Sequence, residues 1–191
     1  MFTIKHKFFR PYLKALGISM LTLGALLPSF LLVPITAAVD VNSEQVAFES
    51  SPRLTRTAVA TYPGIRALAQ YQFTIAVPKD AGKPLQAVTI TQQENLEQIG
   101  FDLSQNKAFA GDRFAGGSAV SIASTGGSES ADSHKVTIVF DPPVQPGSTV
   151  TIALRGNRPT WGGIYLFGVT AFPVGENNLG LYLGSGRIAF P

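Results

Sequence analysis

Four side chains between residues 155 and 161 have the types and spacing to hold a ligand. Arg155, Asn157, Arg158 and Trp161 put two guanidiniums, an amide and an indole on one turn. A guanidinium stacked on an indole presents a flat, hydrogen-bonding surface that suits a sugar or an anionic polymer. Large aromatics usually bury, so the expectation for Trp161 is a cap on one end of the core, with the arginines solvating the loop.

Other candidates are weaker. His134 is the one histidine beyond His6, and it follows Asp132 and Ser133. Adjacent strand residues point to opposite faces, whereas a Ser/His/Asp triad needs converging side chains. His134 therefore reads as a polar residue at the start of a strand. Zinc or copper needs several nitrogen or sulfur ligands, more than one histidine and no cysteine can supply. Asp102, Asp112, Asp132, Asp141 and Glu176 lie singly in or beside loops, where calcium finds ligands, but no Asp-x-Asp-x-Asp-Gly run is present. They read as solvated acids. Gly111–Gly117 and Thr125–Gly127 lack Gly-Lys-Ser/Thr and precede no helix pattern, so they form no phosphate cradle. No catalytic residue, metal site or cofactor is assigned.

The elements that must position these groups are strands. Val136, Ile138 and Phe140 alternate with Thr137 and Val139, and Val150, Ile152 and Leu154 alternate with Thr151 and Ala153. Period two puts each set on one face of a pleated strand. Between the runs lies Asp141-Pro-Pro-Val-Gln-Pro-Gly147, so the whole stretch reads as a hairpin with a wide turn. Tyr71, Phe73, Ile75 and Val77 share one face of a strand over Ala69–Val77, and Leu85–Thr91 resumes beyond a Pro/Gly turn. Leu54–Ala60 suits an edge strand. Gln92–Gly100 suits one helical turn or an irregular crossover. Phe101, Leu103, Phe109 and Phe114 recur in a loop-rich stretch and are expected to plug one end of the core. Ala119–Ser124 is a short strand, and Thr125–Ser133 a flexible loop tip by composition. Ile164–Phe172 is apolar throughout, which predicts a central strand covered on both faces. Gly168 within it suggests a bulge or the close approach of another backbone. Leu179–Phe190 closes the chain, interrupted by Gly184-Ser-Gly186. About eight short strands without an amphipathic helix predict an all-β antiparallel sandwich, immunoglobulin-like in general architecture.

The sandwich is assigned to residues 52–191, after a flexible segment over 39–51. Residues 1–38 read as a signal peptide: Lys5, Lys7, Arg10 and Lys14, an uncharged apolar run, then Thr36 and Ala38 at the small-residue positions. An uncleaved membrane anchor is the competing reading of that run, which is long enough to span a bilayer. Cleavage changes the charge. Four of the 15 Lys and Arg leave with the leader, so 11 remain against 12 Asp and Glu. Nucleic-acid binding, which needs a concentrated basic surface, loses its support. The lack of cysteine excludes disulfides, so packing and sheet hydrogen bonds must hold the fold.

The second half resembles a known family. Asp141-Pro-Pro-Val-x-Pro-Gly147, Val150-Thr-Ile-Ala-Leu154 and Gly163-Ile-Tyr-Leu-Phe-Gly-Val-Thr-Ala-Phe-Pro173 are similar to the cyanobacterial secreted family called domain of unknown function 2808. Phe73–Pro78, Ala81–Ile90, Phe101-Asp102, Ala108-Phe109 and Gly180–Arg187 fit the same pattern. The resemblance implies an exported protein of a photosynthetic bacterium and carries no activity with it. Together these readings predict an exported, non-enzymatic binding or structural module, periplasmic or extracellular, with an envelope protein or polysaccharide as partner. It would touch membrane only through the leader before cleavage. A secreted hydrolase or lyase built on Asp102, Asp112 and the Arg158 loop is the alternative.

Overall fold

The computed structural model describes residues 45–62, 65–127 and 134–191; the leader reading, Asp132 and Ser133 lie outside them. Ten strands follow one another: β1 Arg53–Tyr62, β2 Ile65–Ala76, β3 Leu85–Gln92, β4 Phe101–Ala110, β5 Ala119–Val120, β6 Ile122–Gly127, β7 Lys135–Val144, β8 Thr149–Asn157, β9 Gly163–Pro173 and β10 Leu181–Phe190. They form two five-stranded sheets, ordered β1-β2-β8-β4-β5 and β10-β9-β3-β7-β6, with every named pairing antiparallel.

The alternating positions meet between the sheets. Tyr71, Phe73 and Ile75 from β2 and Val150, Ile152 and Leu154 from β8 face Val88 and Ile90 from β3, Ile138 and Phe140 from β7, and Tyr165, Phe167 and Val169 from β9. All are essentially without solvent contact. Phe167 is the hub, with ring centroids 5.5 Å from Phe73, 5.8 Å from Tyr71 and 6.3 Å from Phe101. Burial of such rings is the main force holding the layers together.

The stretch read as a hairpin is not one. β7 and β8 belong to different sheets, so residues 145–148 form an arch that carries the chain across the core. The Pro-rich end of β7 runs on to Val144 before the chain crosses. Both strands still point their alternate side chains at the same core, which is why the pattern fits either geometry. β2 and β3 are joined by a similar arch. The two arches bond to each other: the Val77 amide donates to the Ser148 carbonyl and the Gly147 amide to the Val77 carbonyl, both at 2.9 Å. Gly147 takes φ 82° there, a left-handed conformation that glycine adopts freely.

Other segments depart from expectation too. The loop-rich stretch after Gly100 is a full strand, β4. Phe101 packs on the core, but Leu103 and Phe114 are exposed, and Phe109 pairs with Phe114 outside it. Thr125–Gly127 belongs to β6 rather than a loop tip. Gln92–Gly100 takes the irregular course. β10 is continuous through its glycines, with a register shift between Tyr182 and Gly184. Residues 45–51 hold to one end of the sandwich through the Leu179 amide to the Val46 carbonyl, 2.8 Å, and the Glu49 amide to the Ala81 carbonyl, 3.0 Å.

Candidate functional site

The loop after β8 is fixed at both ends by buried tyrosines from opposite sheets. The Tyr71 hydroxyl donates to the Asn157 carbonyl at 2.7 Å, and the Tyr165 hydroxyl donates to the Trp161 carbonyl at 3.0 Å. Burial raises the pKa of both phenols above the usual tyrosine value, with Glu97 adding to each and Tyr165 adding to Tyr71. Glu97 takes the next two donors: its Oε2 accepts from the Thr160 amide at 2.7 Å and the Trp161 amide at 3.2 Å. The Arg158 amide donates to the Ala67 carbonyl at 2.8 Å.

This anchoring sends Asn157, Arg155 and Trp161 different ways, while the Arg158 charge acts on the Tyr71 phenol within the anchor. Asn157 points inward, where its Oδ1 accepts from the Gly100 amide. The Arg155 guanidinium lies over the Tyr62 ring, 5.5 Å from its centroid, and is the one cation–π contact among the described residues. Trp161 does not cap the core: it is 67 % exposed. Its backbone is satisfied by Glu97 and Tyr165, so the loop holds its place without burying the indole.

Just beyond the exposed Trp161, a row of uncovered apolar side chains runs along β9. Ile164 and Leu166 point away from the core and are 48 % and 37 % exposed. β9 is therefore covered on its inner face only, against the expectation of two covered faces. Beyond Leu166 comes Gly168, paired with Ser185 of β10. A Cβ at Gly168 would lie 3.1 Å from Cε2 of Tyr182 and 3.5 Å from its hydroxyl. The close approach expected at Gly168 is made by this side chain and not by a backbone. The Tyr182 ring occupies the missing side chain's space and is still 56 % exposed. Its hydroxyl is held by Ser185 Oγ at 2.6 Å, which in turn accepts from Gln93 Nε2 at 2.8 Å. The Gln93 amide donates to the Leu166 carbonyl and Asn95 Nδ2 to the Ile164 carbonyl, both at 2.8 Å, so residues 93–95 run beside β9 past the end of β3.

The outward positions of β9 and β10 hold Arg187 and no carboxylate. Further across the sheet, β7 carries Lys135 near one end and the exposed Asp141 near the other, with Thr137 between. Thr89 and Thr137 share a hydroxyl hydrogen bond of 2.8 Å.

The remaining candidates do not converge. Asp102 Oδ1 accepts from its own neighbour Ser104, from the amide at 3.1 Å and the hydroxyl at 2.6 Å. Asp112 lies beyond the other end of β4, 3.8 Å from Arg113 with both side chains exposed. Asp141 and Glu176 are exposed. The His134 carbonyl accepts from the Gln92 amide at 2.8 Å. Among the described residues no three His, Cys, Asp or Glu side chains gather as metal ligands would. Nothing in the sequence marks Tyr182, Ile164 and Leu166 as exposed; the apolar run through β9 carries Ile164 and Leu166 and reads as core.

Two antiparallel sheets, with no helix among the described residues, make this a β-sandwich. The chain belongs to the family described as "Protein of unknown function (DUF2808)", which matches residues 45–190. No curated protein matches it. Among solved structures it is similar to the collagen-binding domain of a Staphylococcus aureus adhesin, at 8 % identity and a TM-score of 0.38 over 77 % of this chain and 98 % of that one. The collagen-binding subdomain of the Enterococcus faecalis surface protein ACE gives 6 % identity and 0.41 over 77 % and 99 %. An uncharacterized Nocardia farcinica protein with an immunoglobulin-like fold gives 15 % and 0.35 over 69 % and 96 %.

Proposed function

We propose that the chain is an exported, non-enzymatic binding module of the cell envelope or extracellular space, and that it binds through the outer face of β9 and β10. One observation carries this reading: Ile164 and Leu166 on β9 and Tyr182, seated over Gly168, are exposed on one face of the sheet, and Trp161 is exposed just before β9. A tyrosine seated over a glycine beside two uncovered branched aliphatics makes a small contiguous apolar surface, of a size that suits a narrow ligand. The support for export is the leader pattern of residues 1–38. An envelope protein or a polysaccharide is the partner class. The separation of Asp102 from Asp112 by the length of β4 speaks against the hydrolase or lyase alternative.

A photo-activated cross-linking residue in place of Leu166, compared with one in place of Lys107 on the opposite sheet, tests the reading in intact cells. The expected result is a high-mass adduct in the envelope or medium fraction from position 166 and none from 107. Adducts from 107 alone, from both equally or from neither overturn it.

A further inference from the structure

We infer that the β9–β10 face takes an extended acidic polysaccharide, with Tyr182 as its stacking platform and Arg187 as its carboxylate partner; this rests on the binding reading above. Three observations point to that ligand.

The first is the seat of Tyr182. A tyrosine on a strand normally stands away from the sheet, but here Gly168 removes the side chain beneath it and the ring edge comes down to 3.1 Å from the vacant Cβ position. The hydroxyl is tied at 2.6 Å to Ser185, so the ring is held at both ends of its length. A ring laid down and locked this way offers a preorganised apolar surface, and one face of a pyranose is a row of C–H bonds that stacks on such a surface. Ser185, Gln93 and Asn95 lie around it as neutral hydrogen-bonding groups.

The second is the dimension of the row. From Gly168 to Gly163 the strand advances about 17 Å at ~3.4 Å per residue, and the row is about two strands or ~10 Å wide. That area is far below the ~800 Å² per partner of a stable protein interface. One polymer strand with a few sugar rings fills it.

The third is charge. Arg187 is paired with Leu166 in the middle of the row and is the one charged residue on the outward positions of β9 and β10, while Lys135 and Asp141 both lie further across the sheet on β7. A planar guanidinium recognises a carboxylate through two parallel hydrogen bonds, which selects a uronate over a neutral sugar.

The single tryptophan gives the readout, since Trp161 lies at one end of the row. The full-length chain is expressed, purified from the fraction that holds it, and titrated with an oligogalacturonate and with a neutral maltooligosaccharide of equal length. The oligogalacturonate is expected to shift Trp161 emission to the blue, with binding weakened by added salt; the neutral oligosaccharide is expected to bind at least about tenfold more weakly. Tyr182→Ala and Gly168→Val, which lifts the ring, are each expected to weaken binding about tenfold. Arg187→Gln is expected to remove the salt dependence. Arg155→Gln, on the other sheet, is expected to leave binding unchanged.

Equal binding of the two oligosaccharides, no binding of either, or an Arg155→Gln effect as large as that of Arg187→Gln overturns the polysaccharide. If the oligogalacturonate is silent while position 166 still cross-links to an envelope protein, the binding face stands and the ligand assignment falls. If both fail, the face itself is wrong.

Discussion

The outer faces of the two sheets are built on opposite principles. Residues 111–118 fold back over part of the first sheet. There Thr151 is fully buried and donates to the Gly111 carbonyl at 2.8 Å, and Thr74 shares a 3.0 Å hydrogen bond with it. The Gly111 amide returns to the Thr149 carbonyl at 2.8 Å. Gln72, nearly buried on the same face, accepts from Arg56 at 3.2 Å. These buried polar groups are matched by partners from the chain itself. The second sheet leaves apolar groups uncovered at β9 and β10 and ties polar ones around them. The first sheet leaves Leu103 and Phe114 partly open near its edge but closes its centre with polar partners, whereas the row on the second sheet lies over a central strand, and this contrast is what the proposed binding face rests on.

The contrast predicts opposite responses to substitution. The largest effect is expected at Thr151→Val. It keeps the shape but strands the Gly111 carbonyl and Thr74, for a loss of about 1–3 kcal/mol in denaturant unfolding. The matched change Leu166→Ser should stay within about 0.5 kcal/mol of the parent while removing the position 166 partner. Equal losses at the two positions would break the contrast.

The next expected effect comes from pH and touches both sheets. Tyr71 and Tyr165 remain protonated in the folded state beyond pH 10, the ordinary tyrosine value, where the unfolded chain ionises. The unfolded state then binds fewer protons, so stability is intact below about pH 10 and falls as pH rises above it. Tyr71→Phe should flatten that decline in thermal melts taken between pH 9 and 12, at the cost of the Asn157 anchor. An alkaline slope identical to that of the parent would remove Tyr71 from the account. The smallest effect is expected at Trp161→Ala, within about 0.5 kcal/mol of parental stability. A loss several times larger would restore the indole to the core and shorten the proposed row.

The sequence makes the inward positions legible and leaves the partnership of strands hidden. Period two identifies Tyr71, Phe73, Val150 and Ile152 as core because alternation is a local property. It cannot say that β7 and β8 part company, since an arch and a hairpin bury the same side chains. β4 escaped notice for another reason. Its register shifts between Asp102, opposite Arg155, and Lys107, opposite Ala153, so the polar residues between them break the alternation. The surface row on β9 was hidden by the same continuous apolar run that made the strand easy to find. Composition cannot distinguish a second covered face from one awaiting a partner. Tyr182 is harder still, because its role depends on Gly168, distant in sequence and adjacent only across the register. Proximity along the chain groups Arg155, Asn157, Arg158 and Trp161, but it cannot show that Asn157 is held by Gly100 while Arg155 lies over Tyr62.

One feature of the strand order bears on mechanics. β5 and β6 are nearly continuous, with only Ser121 between them, yet β5 pairs with β4 in the first sheet and β6 with β7 in the second. That side of the sandwich is laced by the chain itself. The opposite side has no such lace: β1 and β10 meet through packing, with Thr57 resting in the space left by Gly186. A tether that pulls the layers apart would therefore open the molecule as a book opens, with residues 119–127 as its spine and the Thr57–Gly186 contact as its clasp.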